Sequence, residues 1–274
     1  MGVVNVTPDS FSDGGLWFDP NSAVEHGLRL AAQGADIVDV GGESTRPGAR
    51  RPDVEEELRR VVPVIRELAA AGIAVSVDTM RAEVAEQALR VGARLVNDVS
   101  GGLADPDLLR VVAAADVPVV LMHWRGHADQ MQRHTQYDDV VTDLLDELRP
   151  RIDTARAAGI RPERIVIDPG LGFSKTWDHN WTILGRLREV VDTGYPVLVA
   201  ASRKTFLGEL LADPVTGERR PPAERDAATA ALTTPIALDG VWCIRVHDVP
   251  ANIDAARVAA RLGSERDRTT GAAS

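Results

Sequence analysis

Eight short apolar runs recur along the chain, and each stops on a hydrogen-bonding or charged residue. In order they are VVNV at Asn5, DIVDVGGES with Asp39 and Glu43, AVSVDT with Asp78, and RLVND with Asn97 and Asp98. VPVVLMH then ends on His123, RIVIDPG holds Asp168, PVLVAASRK ends on Ser202, Arg203 and Lys204, and WCIRVHD carries Arg245 and His247. Nearly every gap between these runs has helical character. An eightfold strand–helix alternation predicts a (β/α)8 TIM barrel, an α/β fold, with functional residues at the C-terminal ends of its strands.

The gaps give the helices. The pattern predicts helices over 22–33, closed by Gly34, and over 54–71, with Pro63 as a kink. RAEVAEQALRVG follows with Thr79 as N-cap, and DPDLLRVVAAA has its proline in the first turn. Further helices are expected over 137–158, over 179–192, and from the SRKTFLGELL junction onward. A charged, proline-containing excursion at 212–225 precedes AERDAATAALTTPIAL, and a last helix covers 250–262. No linker divides the chain, so residues 1–263 are read as one barrel and 264–274 as a solvated, disordered tail.

Composition narrows the classes. A length of 274 residues suits one barrel, and 44% hydrophobic content with few aromatics suits a core of Val, Leu, Ile and Ala. No apolar run reaches membrane-spanning length, and Met1 leads straight into the first strand without a signal segment. One cysteine, Cys243, excludes an internal disulfide framework and fits a reducing cytoplasm. A net charge of −10 argues against general nucleic-acid binding, while leaving room for a local anion site.

The polar strand ends divide into acceptors and cations. Asp78, Asn97 and Asp168 converge at the barrel mouth, where buried carboxylates need donors. A heterocycle rich in N–H groups supplies them, and Lys204 eases their burial; the alternative is that each caps a helix or accepts loop amides. For Asp98, Asp105 and Asp248 that second role is preferred. Arg203 and Lys204 start a helix, where backbone amides also favour anions. Arg245 and His247 are two apart and share a face of their strand, which makes an anion site; a neutral, satisfied His247 is the alternative.

Two long βα loops complete the candidates. Loop one, 7–21, follows Asn5, whose amide oxygen suits Mg²⁺ carried on a diphosphate or else satisfies a turn amide. Loop two, GGESTRPGARRPD, offers Thr45, Arg46 and Pro47; Arg46 either clamps a phosphate or carboxylate or lies solvated at the surface. His123, His127 and His134 match no metal spacing, Cys243 reads as a small buried hydrophobe, and no glycine pattern marks a dinucleotide site.

Seven segments in order, MGVVNVTPDSFSDGG, DVGGESTRPG, SVDT, NDVSGG, DPGLGFSK, ASRK and RVHDV, resemble the dihydropteroate synthase family over residues 1 to about 250. The resemblance implies a homodimeric barrel that joins 4-aminobenzoate to 6-hydroxymethyl-7,8-dihydropterin diphosphate with Mg²⁺. It assigns Asn5 to Mg²⁺ and the diphosphate, and Asp78, Asn97, Asp168 and Lys204 to the pterin ring. Arg245 and His247 grip the diphosphate. Thr45 and Arg46 reach the reacting centre from loop two and Asp13 from loop one, with Arg46, Lys204 and Asp13 as the catalytic set. Phe11, Pro47, Phe173 and Thr205 frame the aminobenzoate pocket. Departures from the family pattern are Ala200 for a glycine, Thr205 for a serine, a less alanine- and glycine-rich TTPIALDG on the dimer helix, and a start at Met1 without a segment closing the barrel bottom. Two other readings are a catalytically silent pterin-binding paralogue, favoured by loss of Arg46, Lys204 or His247, and a methyltetrahydrofolate–corrinoid methyltransferase, which needs no anion site; all these residues are present.

Overall fold

In a computed structural model, residues 1–7, 20–44, 51–126 and 134–271 are described. Eight parallel strands form a closed ring: β1 (Gly2–Asn5), β2 (Val38–Gly41), β3 (Val75–Asp78), β4 (Leu95–Asp98), β5 (Val119–Met122), β6 (Ile165–Asp168), β7 (Leu198–Val199) and β8 (Cys243–Ile244). The first six pair in sequence order and β7 pairs β8. Single bridges, Ile167 with Val197 and Gly2 with Val246, join the two groups and close the barrel. The Met1 ammonium also donates to the Ile244 carbonyl oxygen at 3.0 Å.

The strands are apolar on both faces because each is covered twice. Val38, Val40, Val75, Val77, Val96, Val119, Leu121, Ile165, Ile167, Val197 and Val199 point outward into the main core beneath the helices. The alternate positions Met1, Leu95, Val120, Val166 and Leu198, with Ile37, Ala200 and Cys243 packed on them, form a second cluster that plugs the barrel. Two residues further along each strand, the same inward phase arrives at Asp39, Asp78, Asn97, Met122, Asp168 and Arg245. The period of two therefore delivers polar groups to the mouth directly above an apolar plug. Asp98, in the outward phase, turns away from the mouth.

The covering helices are α1 (Pro20–Ala32), α2 (Val54–Ala70), α3 (Ala82–Arg90), α4 (Leu108–Ala115), α5 (Val140–Ala157), α6 (Trp177–Gly185), α7 (Leu187–Val191), α8 (Thr205–Leu210), α9 (Asp226–Leu238) and α10 (Val249–Gly271). Asp53, Asp139 and Thr176 cap α2, α5 and α6 through their side-chain oxygens. The helix expected over 179–192 is two helices, broken at Arg186 (φ −119°), whose guanidinium holds Asp139 and Glu189, each at 2.7 Å. Thr79 accepts from the Arg81 amide at 3.2 Å, while the N-cap of α3 itself is Arg81. The tail expected from 264 to be disordered continues α10 as far as Gly271, its Ser264 hydroxyl bonded to the Ala260 carbonyl oxygen at 3.0 Å.

A buried acid lies inside this apolar shell. Glu57 on α2 is fully buried, accepts from the Thr79 hydroxyl at 2.6 Å and has the Arg81 guanidinium 3.1 Å from its second oxygen, in charge contact without hydrogen-bond alignment. Burial pushes its carboxyl up in pKa, with Thr79 and Arg81 opposing. Removing one member of a buried pair strands the other. Glu57→Ala is expected to lose about 3–5 kcal/mol of stability in urea denaturation; a loss of under about 1 kcal/mol, the scale of an exposed pair, contradicts this role.

Candidate active site

Strand ends β2, β3, β4 and β8 build one network across the mouth. The Arg245 guanidinium donates through Nε to Asp39 Oδ2 at 2.6 Å and through Nη2 to Asp78 Oδ2 at 2.9 Å. Asp39 Oδ2 also accepts from Asn97 Nδ2 at 2.9 Å. Gly41 leaves room for this network, since a Cβ there would lie 3.3 Å from Asp78 Cβ. Burial raises the Asp78 carboxyl to about 7, against the opposing pull of Arg245. Arg245 is raised in turn, its two carboxylate neighbours outweighing its own desolvation.

The second half of the mouth comes from β6 and β7. Asp168 Oδ1 accepts from the Gly170 amide at 2.7 Å; burial raises its pKa, with that amide and Lys204 opposing. Lys204 lies with Nζ 4.2 Å from the centre of the Phe173 ring, a cation–π contact. Burial lowers the ammonium to about 8, Asp168 resisting the shift. Gly172 takes φ +79°, and a Cβ there would come within 3.0 Å of Lys204 Cδ, so the turn needs glycine both for its dihedral and for its space.

Arg203 is not part of the mouth, contrary to its expected place beside Lys204. It adopts φ +59° and turns to Asp226, bonded through Nε and Nη2, both at 2.7 Å. The buried Arg225 holds the Arg203 carbonyl oxygen at 2.8 Å, so two arginines brace the turn that carries Lys204. Ser202 Oγ accepts from the His247 amide at 3.2 Å and is hydrogen-bonded to His247 Nδ1 at 2.9 Å.

The predicted residues divide accordingly. Asp78, Asn97, Asp168, Lys204, Arg245, His247 and Phe173 surround one mouth. Asn5 ends β1 in the inward phase and is half-buried. Thr205 opens α8 and is exposed. Phe11, Asp13, Thr45, Arg46 and Pro47 lie outside the described residues. Asp98 and Asp105 satisfy loop and helix amides: Asp98 accepts from Ser100 and Gly102, and Asp105 from Ala82 and Asp107. Cys243 packs on the barrel plug and burial raises its thiol, as suits a small hydrophobe.

Sequence reasoning missed Asp39 and the pair His123–Lys175. Asp39 shares the inward phase of Asp78 and Asn97, a signal present in the alternation of β2. Lys175 is buried, with Nζ 3.0 Å from His123 Nδ1 and 3.1 Å from the Phe173 carbonyl oxygen; His123 Nε2 meets Glu147 at 3.0 Å. It therefore holds the turn that presents Phe173 to Lys204. Burial lowers Lys175 to about 7. Between pH 7 and the ordinary lysine value the unfolded chain keeps this proton while the folded chain releases it, so stability rises with pH across that window. Lys175→Met is expected to flatten that rise by an amount on the order of a few kcal/mol, read by denaturation at pH 6, 8 and 9.5; an unchanged slope contradicts the burial of a titrating lysine.

Residues 1–247 match the family described as pterin binding enzyme. A dihydropteroate synthase of Mycobacterium leprae is 56% identical over 259 residues, covering 94% of this chain and 91% of the relative. The structure of Yersinia pestis dihydropteroate synthase in a sulfonamide drug complex superposes with a TM-score of 0.91 at 40% identity, over 96% of this chain and 94% of that one. That of Xanthomonas albilineans dihydropteroate synthase with 4-aminobenzoic acid gives 0.86 at 47% identity, over 96% and 92%. With a matching family model, relatives of high identity and a matching fold, the chain belongs to the pterin-binding enzymes and, among them, to the dihydropteroate synthases.

Proposed function

We propose that this mouth joins 6-hydroxymethyl-7,8-dihydropterin diphosphate to 4-aminobenzoate, giving 7,8-dihydropteroate and diphosphate. The observation that carries the reading is the meeting of two opposite chemistries in one opening: acceptors Asp78, Asn97 and Asp168 beside cations Lys204 and Arg245. A pterin offers a row of N–H donors at one end of its frame and, when activated, a diphosphate at the other. Phe173, held by Lys175 from behind and facing Lys204, supplies an apolar wall suited to the aromatic ring of 4-aminobenzoate.

The reaction needs no covalent nucleophile from the protein. The C–O bond to diphosphate breaks with its electrons leaving on the diphosphate, and the pterin methylene cation is stabilised by its ring. The neutral aniline nitrogen then forms the C–N bond and releases its proton. Catalysis here is a matter of alignment and of stabilising the departing charge. Arg245 spends two of its five N–H donors on Asp39 and Asp78, which leaves its remaining edge for a diphosphate oxygen. His247, held at Nδ1 by the Ser202 hydroxyl, brings a second polar group to the same opening. By family likeness, Asp13, Thr45 and Arg46 serve the reacting centre, and Phe11, Pro47 and Thr205 line the aminobenzoate side.

Among the described residues no cluster of three carboxylates, histidines or cysteines suits a metal ion. Asn5 supplies one hard oxygen at the mouth, a donor set that fits Mg²⁺ retaining its waters and carried on the diphosphate. Bound that way, Mg²⁺ neutralises leaving-group charge. The protein is further read as a homodimer joined along α9 and α10, which pack together and leave Val258 and Leu262 exposed one turn apart on α10. No described helix is long and apolar enough to cross a membrane, and the lone Cys243 supports a cytoplasmic enzyme.

Purified protein is expected to form dihydropteroate and diphosphate when given both substrates and Mg²⁺, and none when any one is withheld. Pterin binding without product contradicts the synthase reading. Arg245→Ala is expected to weaken pterin diphosphate at least about tenfold more than pterin alone, about the 1.4 kcal/mol of one charge-assisted contact. Equal losses for the two ligands contradict Arg245 as a diphosphate ligand.

A further inference from the structure

Asp39 is the most deeply buried charged group of the mouth and lies beneath its opening, with no exposed surface. Its oxygen Oδ2 receives both Asn97 Nδ2 and Arg245 Nε, while Oδ1 has no hydrogen-bond partner among the described residues. A carboxylate buried with half its capacity unused is an unfavourable way to fill space, since an apolar side chain of similar volume packs there without desolvation cost. Its neighbours in the plug, Ile37 and Leu95, are of that kind. The residue is explained by what it does to the two groups bonded to it.

Asn97 carries a donor at one end of its amide and an acceptor at the other. A carboxylate oxygen accepts and never donates, so the NH₂ end of Asn97 faces Asp39 at 2.9 Å. Turning the amide over would set two acceptors against each other and leave the NH₂ without its partner. The carbonyl oxygen is thereby kept at the end of the amide away from Asp39. Through Arg245, the same Asp39 oxygen also fixes the cation that holds Asp78.

We propose that Asp39 is a positioning and specificity-determining residue: by holding Asn97 in one orientation and anchoring Arg245, it makes the ring-binding side of the mouth a row of acceptors that takes N–H edges and rejects ring edges bearing lone pairs. This rests on the pterin reading above for the identity of the ring, and on the Asp39–Asn97 contact for the polarity. Asp39 itself touches no substrate. It acts through Asn97 and Arg245.

The experiment has a ligand-free arm and a binding arm. In the free protein, the side-chain amide protons of Asn97, followed by NMR, are expected to exchange slowly, and Asp39→Asn is expected to shift them and speed their exchange. Unchanged Asn97 amide signals in Asp39→Asn overturn the proposal. In the binding arm, calorimetry with 6-hydroxymethyl-7,8-dihydropterin compares wild type, Asp39→Asn, Asn97→Ala and the double variant. Each single change is expected to weaken binding about tenfold or more, and the double to lose clearly less than the product of the two. Losses that multiply mean Asp39 does not act through Asn97, and overturn the proposal.

Circular dichroism and thermal melting check that each variant folds. Should Asp39→Asn not fold, Asn97→Asp probes the same contact from above. It offers the ring two acceptors yet sets a second carboxylate against Asp39, and weaker pterin binding is expected. Equal or tighter binding overturns the proposal. A wild-type protein that shows the Asn97 response to Asp39→Asn but binds no pterin would uphold the hold on Asn97 and overturn the choice of ring.

Discussion

Arg245 reaches from β8 to carboxylates on β2 and β3, and the mouth of the barrel is organised around that reach. Two acids and a guanidinium removed from water are each costly alone, and the arrangement persists because every charge has a partner at hydrogen-bonding distance. Losing one member leaves the others stranded, a penalty of about 3–5 kcal/mol for a buried pair. The bridge spans the seam where β8 returns to β1 and the neighbouring strands, a region held otherwise by a single bridge, Gly2 to Val246, and a few backbone bonds. One ion-pair network therefore shapes the site and ties together strands on the two sides of that seam.

Burial sets a division of labour among the ionisable groups of the mouth. Asp78 and Asp168 are pushed toward their protonated forms and Lys204 toward its neutral form, each resisted by the opposite charge nearby. Groups balanced in this way respond strongly to a ligand that brings its own donors or its own negative charge. A ring with N–H edges relieves the carboxylates, and a diphosphate relieves the cations. Supports stand behind these contacts: Arg203 and Arg225 brace the Lys204 turn, and Lys175 holds the carbonyl of Phe173.

The eight strands, and the end of the barrel that carries function, were legible because strand alternation is a local property that survives any tertiary arrangement. So were Asp78, Asn97, Asp168, Arg245 and His247, which lie in the inward phase at or just past strand ends, and Lys204, which follows β7 and immediately precedes α8. Asp39 stands among the polar residues of its run, but its role is not legible there because Gly41, Gly42 and Glu43 come after it; its phase marks it for the mouth. The outward turn of Arg203 depends on a positive φ and on Asp226, a residue 23 positions away. The break at Arg186 depends likewise on Asp139, 47 positions earlier. Lys175 and His123 form a pair only once β5 and the turn after β6 are brought side by side. Contacts of this kind carry no local pattern, and no reading of a single strand or helix contains them.

In the proposed reaction, ionised Asp78 and charged Lys204 together receive the pterin ring. Asp78 becomes an anion as pH rises through about 7, and Lys204 loses its charge as pH rises through about 8. The direct measurement is the affinity for 6-hydroxymethylpterin, by calorimetry, from pH 5.5 to 9.5. Binding is expected to strengthen up to about pH 7, to be tightest between about 7 and 8, and to weaken above about 8, with the lower limb absent in Asp78→Asn. An affinity that stays flat across the range, or a lower limb that is unchanged in both Asp78→Asn and Asp168→Asn, would contradict it.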